Sequence, residues 1–322
     1  MNYHEPDTRW HIFQSISDFQ SFSEKFVASG KFHSKVPDDV VKSYQVAEYI
    51  MAHSYYHYPM YDEALNKALR TLEMAIKFRC KELGISIETE NPKKPRFPLA
   101  KYNLNELISK LNVAEPGKYD MHEMDSLRNL RNVFMHPDQH GFGGAAMTGL
   151  LFKMVVVLNK VFLPADYLKD ASKLRDERNA HLKQFRNSPT IMTFQDVRYL
   201  IYEVSILDSL QVEDQENHLL YVMPLHNDAS DLLTKHVYLP PWAFHINKIQ
   251  IIDQKVIAKT IGSDEKVSFE LTEHPSDIKK FQDFSLSLEG CSPTDQSIFT
   301  NFYDHKKQEE MNRFLYSYLW QI

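Results

Sequence analysis

The side chains in this sequence best suited to chemistry are an arginine, an asparagine and a histidine within six positions, Arg131-Asn132-x3-His136. Each residue of an ideal helix turns by about 100°, so Arg131 and Asn132 share a face, and His136 lies one turn beyond them. Pro137 follows directly and predicts that the helix ends there. The spacing therefore predicts a guanidinium, an amide and an imidazole gathered at one helix end.

These side chains suit the cleavage of RNA by transesterification without a metal ion. An imidazole can remove the proton of a ribose 2′-hydroxyl or supply one to the leaving oxygen. Arg131 is permanently charged and can hold a phosphate through two hydrogen bonds. We expect Asn132 to orient His136 or the phosphate, and Arg128 to support them from the same face.

A structural role for the same residues is the alternative. Arg131 would then pair with an acidic residue such as Asp125 or Glu73, while His136 would cap the helix, where the dipole favours its cationic form. Glu73 is a candidate partner of Arg131 or Arg128, because a charge on a mostly apolar helix needs a counterion or an open site. Ordinary exposure of Glu73 is the other interpretation.

The motif resembles that of HEPN domains, helical bundles marked by an arginine, a polar residue and a histidine in this spacing. The segments His53–Tyr58 and Asp62–Arg79 also resemble the early helices of bacterial HEPN-type proteins, so the resemblance covers roughly residues 40–163. Many members are metal-independent ribonucleases of defence, toxin–antitoxin and RNA-processing systems, with two motifs facing each other across a dimer. The resemblance implies a homodimeric endoribonuclease in antiphage defence or a toxin system.

Pairing of two motifs also has a chemical reason, because a single histidine would otherwise serve as both base and acid. The competing interpretation is a non-catalytic interaction module that scaffolds a partner or binds a nucleotide or RNA. The expected partner is RNA, including tRNA or another structured RNA, and a regulatory protein is a further candidate. We expect no cofactor, no metal and no membrane.

Charge and cysteine content narrow the function classes. The chain has 37 basic and 43 acidic residues and a formal net charge of −6, so RNA binding must use local basic patches. One candidate is an exposed proline-rich loop within Ile85–Tyr102. Its basic side chains would either bind RNA or only keep the surface soluble. These residues are Lys93, Lys94, Arg96 and Lys101. Cys80 and Cys291 lack CxxC spacing, which argues against a zinc site or disulfide scaffold. We expect a cytoplasmic protein.

The elements that position these residues follow from periodicity. Apolar residues three or four apart predict helices through the first half, the strongest at Tyr61–Leu83, and one over Met121–Met135 that carries the motif. After Pro189, β-branched and aromatic runs predict strands at Arg198–Leu207, His218–Met223, Ala243–Ile252, Lys255–Ile261 and Lys266–Leu271. A closing helix is predicted within Asp295–Trp320.

We therefore expect an α+β protein in four parts. A helical leader covers 1–36, and an all-α HEPN-like bundle covers 37–163. A charged linker helix follows over 164–188, and a smaller β-rich or mixed α/β domain occupies 189–322, where it selects the substrate or a partner.

Three further patterns are weaker. His53 and His57 have the spacing of two metal ligands on a helix, but a packed aromatic surface is favoured because no third ligand is evident. Arg175 and His181 form a second arginine–histidine string on an evenly charged helix, which we interpret as a chance match. Aromatic residues of the last domain would stack on bases or, as favoured, fill its core; they are Tyr199, Tyr202, Tyr221, Tyr238, Trp242 and Phe244.

Overall fold

The computed structural model describes residues 4–13, 16–90, 99–135, 143–225, 233, 235, 237–252 and 255–322. Helices dominate the first half, and an antiparallel sheet lies in the second. The predicted α+β class is therefore confirmed. The chain divides into two compact units, Met1–Leu168 with Leu319–Gln321, and Lys169–Tyr318 with Ile322. The leader is part of the first unit, and the predicted linker helix spans the division.

The first unit is a set of helices arranged around one central helix. Its helices are α1 (Phe19–Phe26), α2 (Asp38–His53), α3 (Met60–Glu82), α4 (Leu104–Ala114), α5 (Met121–Met135) and α6 (Thr148–Phe162). Helix α3 contacts α2, α4, α5 and α6. Its apolar residues at three- and four-residue spacing are buried, including Leu65, Leu72 and Ile76, as the periodicity predicted. Gly84, whose φ is +68°, supplies the predicted stop.

The leader is anchored by Trp10, whose side chain is completely buried. The indole Nε1 donates a hydrogen bond to the Ser54 carbonyl at 2.8 Å. The rings of Phe22, Phe26 and Tyr58 lie within 5 Å of it, centroid to centroid. Burial of large aromatic surface and one satisfied N–H together fix the leader on the helices.

Two features of the first unit concern segments singled out in the sequence. Residues 85–102 are not only a loop, because strands β1 (Glu88–Glu90) and β2 (Leu99–Lys101) pair antiparallel. The irregular-loop prediction is therefore wrong at both ends of that segment. Within the described residues, one helical stretch, Gly144–Phe162, has the length and apolar composition of a membrane span, and half of it is buried in the fold. That pattern is also typical of a core helix, and α6 packs on α3.

The second unit contains a closed antiparallel barrel. Its strands are β3 (Thr190–Phe194), β4 (Val197–Val212), β5 (Gln215–Pro224), β6 (Trp242–Ile252), β7 (Lys255–Thr260) and β8 (Lys266–Leu271). Each strand pairs with the next, and β3 pairs with β8 to close the ring. Alternate side chains point inward, so Met192, Val222 and Phe269 are buried in the interior.

Three helices pack against the barrel. Helix α7 (Ala165–Leu182) enters from the first unit, and α8 (Pro275–Gly290) and α9 (Pro293–Tyr318) follow the last strand. Phe284 of α8 and Phe299 of α9 pack on Tyr221, which points outward from β5. The predicted closing helix is confirmed, whereas β3 and α8 were not predicted.

A partly buried hydrogen-bonded cluster joins α7 to the barrel. Arg178 of α7 binds both carboxylate oxygens of Glu216 at 2.6 to 2.9 Å. Glu216 also lies 3.2 Å from Nε2 of His218, and Nδ1 of His218 lies 2.8 Å from the Ser209 hydroxyl. Ser209 and His218 are completely buried, whereas the Glu216 side chain is 33% exposed, so the serine and the histidine are closed to solvent and the glutamate is not. Burial lowers the pKa of His218 to about 4, despite the nearby Glu216 charge.

This lowered pKa predicts an acid-sensitive second unit. Unfolding returns the histidine to its usual pKa of about 6.5, so the unfolded chain binds more protons between pH 6.5 and 4. The free energy of unfolding should therefore fall by ~2 kcal/mol as the pH drops through that window. Urea unfolding at several pH values measures this. His218→Gln should flatten the profile, whereas replacing the exposed His305 by Gln should leave it unchanged; equal profiles for wild type and His218→Gln would contradict the assignment.

Candidate functional site

The predicted motif lies on α5 where this helix packs against α3. Helix α5 begins at Met121 and ends at Met135, as predicted. Met124 and Leu127 are buried, and Leu130 and Phe134 are half-buried. Arg128 and Arg131 follow Met124 and Leu127 by four residues each, so both arginines lie closer to the core than the predicted solvent face. Their side chains are 23% and 22% exposed.

Glu73 of α3 fixes the guanidinium of Arg131. Nη2 of Arg131 donates to Oε2 of Glu73 at 2.7 Å, and Lys77, one turn along α3, binds the other carboxylate oxygen. Burial of Glu73 opposes its ionisation, but the hydrogen bonds and charges of Lys77 and Arg131 outweigh it and lower the pKa of this carboxyl. Glu73 is therefore an anionic anchor between the two helices, as one of the sequence alternatives anticipated.

The guanidinium of Arg131 retains hydrogen-bonding capacity. An arginine has five N–H donors. Nη1 donates one to Oδ1 of Asn132 at 3.2 Å, and Nη2 uses one on Glu73. The buried Nε has no partner among the residues that the structure describes. Asn132 itself is exposed, so the Arg131–Asn132 pair faces solvent on one side while Glu73 holds it on the other.

Arg128 lies one turn before Arg131 and has weaker partners. It donates to Oδ1 of Asn129 at 3.1 Å, and its nearest carboxylate, Asp125, is 3.6 Å away and half exposed. Its Nε is also buried and has no partner in the described part of the chain. Two adjacent arginines with surplus donors form a local concentration of positive charge that can accept an anion.

His136 lies outside the described residues, which end at Met135 and resume at Gly143. The chain is held firmly where it resumes. The Asp62 carboxylate accepts hydrogen bonds from the backbone N–H groups of Gly143 and Gly144, and the Tyr58 hydroxyl accepts one from Ala145 at 2.9 Å. Asp62 is buried, so these bonds are protected from water. Asp62 was not among the predicted site residues, because an acid in the first turn of a helix usually only complements the dipole.

The remaining candidates from the sequence include the basic loop residues and the histidine pair His53 and His57. Lys93, Lys94 and Arg96 lie outside the described residues, and Lys101 is described only as backbone of β2. The histidine His53 stacks on Tyr49 at 4.1 Å and bonds its backbone carbonyl. No group of three metal-binding side chains occurs in the described ranges.

The second arginine–histidine string and the aromatic residues are also described. Arg175 binds Asp176 and Ser172 on α7. Among the aromatic residues of the second unit, Tyr221 is buried, while Tyr199 and Trp242 meet edge to face at 4.6 Å beside a cleft of about 500 Å³. Tyr221 therefore belongs to the core, whereas Tyr199 and Trp242 border this cleft and also pack against the barrel core.

Comparison of the chain with protein-family models, with curated proteins and with solved structures found no match.

The first prediction from this geometry concerns the Glu73–Arg131 pair. Because both side chains are largely shielded, Glu73→Ala and Arg131→Ala should each lower the free energy of unfolding by ~1 kcal/mol, with a coupling of ~0.5–1 kcal/mol in the double variant. Urea unfolding of the four proteins measures the coupling. The exposed pair Lys173–Glu177 on α7 is the control and should give almost none. Equal coupling for both pairs would remove Glu73 as an anchor.

The second prediction concerns the backbone conformation of Gly144, which lies just before α6. Its φ is +50°, and a Cβ there would collide with the ring of Tyr58. Gly144→Ala should therefore lower the free energy of unfolding by ~2 kcal/mol. Gly149→Ala is the matched control, because no atom lies within 4 Å of the added methyl group in α6. The control should be neutral or slightly stabilised in urea unfolding; similar losses for both would show that the turn is not constrained.

Proposed function

We propose that this protein is a metal-independent endoribonuclease that cleaves RNA by attack of a ribose 2′-hydroxyl on the adjacent phosphate. In this proposal the first unit is a HEPN-like helical bundle, and Arg131, Asn132 and His136 form the site. The observation that carries the proposal is the Arg131 guanidinium, held by Glu73 at the end of α5 with donors left over, five residues before a histidine.

Each residue has a chemical role that its surroundings support. Arg131 would bind the scissile phosphate and stabilise the charge that develops during the reaction; its anchor on Glu73 limits the reorganisation required. Arg128 would add a second positive charge one turn away. His136 would exchange protons with the 2′-hydroxyl and the leaving oxygen. Asn132 already accepts a hydrogen bond from the Arg131 guanidinium and would fix the orientation of that group.

The proposal includes a homodimer. One histidine cannot easily be base and acid in the same step, and two copies of the motif would divide these tasks. A second pair of arginines would also spread the phosphate charge over more donors. RNA, including tRNA or another structured RNA, is the proposed substrate. The cytoplasm is the proposed location, and antiphage defence or a toxin system, with a regulatory protein partner, is the setting that the HEPN resemblance favours.

A second function is favoured by the same ion pair. Glu73 already neutralises Arg131, so the pair could serve only to join α3 and α5, and the unit would be a non-catalytic module that scaffolds a partner or binds a nucleotide or RNA. This candidate predicts binding without turnover. The weakly paired Arg128 and the Nη donors that Arg131 has left favour the nuclease, because they are more donors than a structural role needs.

Cleavage of total RNA in the presence of EDTA tests the proposal. Wild type should produce fragments with 2′,3′-cyclic phosphate ends, and Arg131→Ala or His136→Ala should each lower the rate at least about 100-fold, the range expected from loss of a proton-transfer or charge-stabilising group. The matched control is the double variant Arg175→Ala/His181→Ala, which removes the second arginine–histidine string and should cleave normally. Circular dichroism establishes that each variant is folded.

The results separate the two functions. Cleavage that survives His136→Ala would refute the proposed mechanism, and RNA binding without cleavage by wild type would favour the scaffold. Co-expression of wild type with His136→Ala tests the dimer. If a site needs both motifs, activity per wild-type chain should fall to about half in an equal, randomly paired mixture, because half of the wild-type chains then have an inactive partner. Unchanged activity per wild-type chain would exclude a shared site.

A further inference from the structure

Three lysines lie side by side on the outer surface of the barrel. Lys248 of β6 is paired in register with Lys259 of β7, and Lys259 is paired with Lys266 of β8. Residues directly opposite in an antiparallel pair point to the same face, so the three side chains form one row across three strands. All three are exposed, while their neighbours Ala258 and Val267 point into the barrel core. We call Lys248, Lys259 and Lys266 the lysine row.

The lysine row is unfavourable for the isolated fold. Like charges directly opposite in a sheet destabilise the strand pair, and here the central Lys259 has one on each side. No lysine of the row has an ion-pair partner among the residues that the structure describes. Lysines on a sheet often protect an exposed edge from pairing with another chain, but this barrel is closed and has no edge to protect. The row therefore needs another reason.

The surroundings of the lysine row are polar and carry additional positive charge. The next register row along the same face contains Gln250, Ile257, Ser268 and Thr193, and it ends at the exposed Arg198 of β4. Two nearby acids offset only part of this charge. Glu270 pairs with Lys255 at 2.9 Å, and Glu265 accepts hydrogen bonds from Gln195 and Ser263. The face thus has a net positive charge on a chain whose formal net charge is −6.

We propose that this face of the barrel binds the sugar–phosphate backbone of RNA. Neighbouring strands are ~4.8 Å apart, so the row places three ammonium groups along roughly 10 Å, a line of charge that a polyanion matches and a single carboxylate does not. A membrane would require exposed apolar side chains beside the lysines, but the apolar residue of the next register row, Ile257, is half-buried, and the exposed Ile251 and Ile252 lie at the far end of the β6–β7 hairpin. The lysine row contacts phosphates only, so binding is independent of base sequence.

This inference concerns binding by the second unit and does not require cleavage at α5. The test therefore uses an RNA that cannot be cut by the proposed mechanism, a fluorescent 2′-O-methyl oligonucleotide of about 20 mixed-sequence nucleotides, long enough to span the face. Its dissociation constant is measured for the full chain between 50 and 300 mM salt. Wild type is compared with the triple variant Lys248→Gln/Lys259→Gln/Lys266→Gln. The matched control, Lys173→Gln/Lys183→Gln/Lys279→Gln, removes three exposed lysines of the same unit from outside the row.

The row variant should bind at least about tenfold more weakly at low salt. The slope of log affinity against log salt should decrease by about 2, or ~0.7 for each phosphate that the variant no longer neutralises. The control variant should have almost the same affinity and the same salt slope as wild type. Lys259→Gln alone should decrease the slope by ~0.7 and unfold at the wild-type temperature or above, because it relieves repulsion.

Three results would overturn the inference. Equal weakening in the row and control variants would indicate a general effect of net charge. Wild-type affinity and slope in the row variant would show that RNA binds elsewhere. Unchanged RNA binding with loss of binding to phosphatidylserine-containing vesicles would assign the face to a membrane. Since the oligonucleotide is not cleavable, each of these outcomes is distinct from failure of the nuclease assay.

Discussion

An arginine that is mostly withdrawn from water needs a counterion, and Glu73 meets this requirement for Arg131. The carboxylate belongs to α3, the helix against which much of the first unit packs, so the guanidinium is tied to the central helix of its unit. Lys77 holds the other carboxylate oxygen, which keeps Glu73 charged and fixes its rotation. Apolar residues such as Met124 and Leu127 hold α5 in the unit, and the Glu73–Arg131 ion pair sets the orientation of the guanidinium in the candidate site.

The second unit satisfies a different constraint, the pairing of every strand. Closure of six strands removes all edges and forces side chains to alternate between a packed interior and the outer surface. Helices α8 and α9 cover the outer face of β4 and β5, where Tyr221 of β5 packs with aromatic residues such as Phe299 of α9. The outer face of β6, β7 and β8 instead carries exposed lysines. The barrel therefore has one surface that stabilises it and another whose charges work against it.

The parts of the fold that sequence periodicity predicted are those in which local and tertiary preferences agree. Helix α5 could be predicted because its apolar residues Met124, Leu127 and Leu130 recur at helical spacing. Strand β3 was missed because its turn to β4 places Gln195 and Asp196, rather than the usual glycine, in the left-handed region. Helix α8 was missed because its apolar residues do not form a clear stripe. The antiparallel pairing of β1 and β2 could not be predicted because each strand has only three residues, too few for a clear apolar pattern.

The candidate site was predictable in composition but not in orientation. Helical spacing placed Arg131 and Asn132 together, yet it could not show that the arginine leans toward α3, because a long side chain can lie along either edge of an apolar stripe. The direction in which the Arg131 side chain extends depends on the carboxylate of Glu73 in α3, 58 positions earlier in the chain. The lysine row could not be predicted from the sequence for a similar reason. Strand register, not sequence distance, places Lys248, Lys259 and Lys266 side by side. Local charge on a net-negative chain is thus created by tertiary structure, and neither composition nor any single motif measures it.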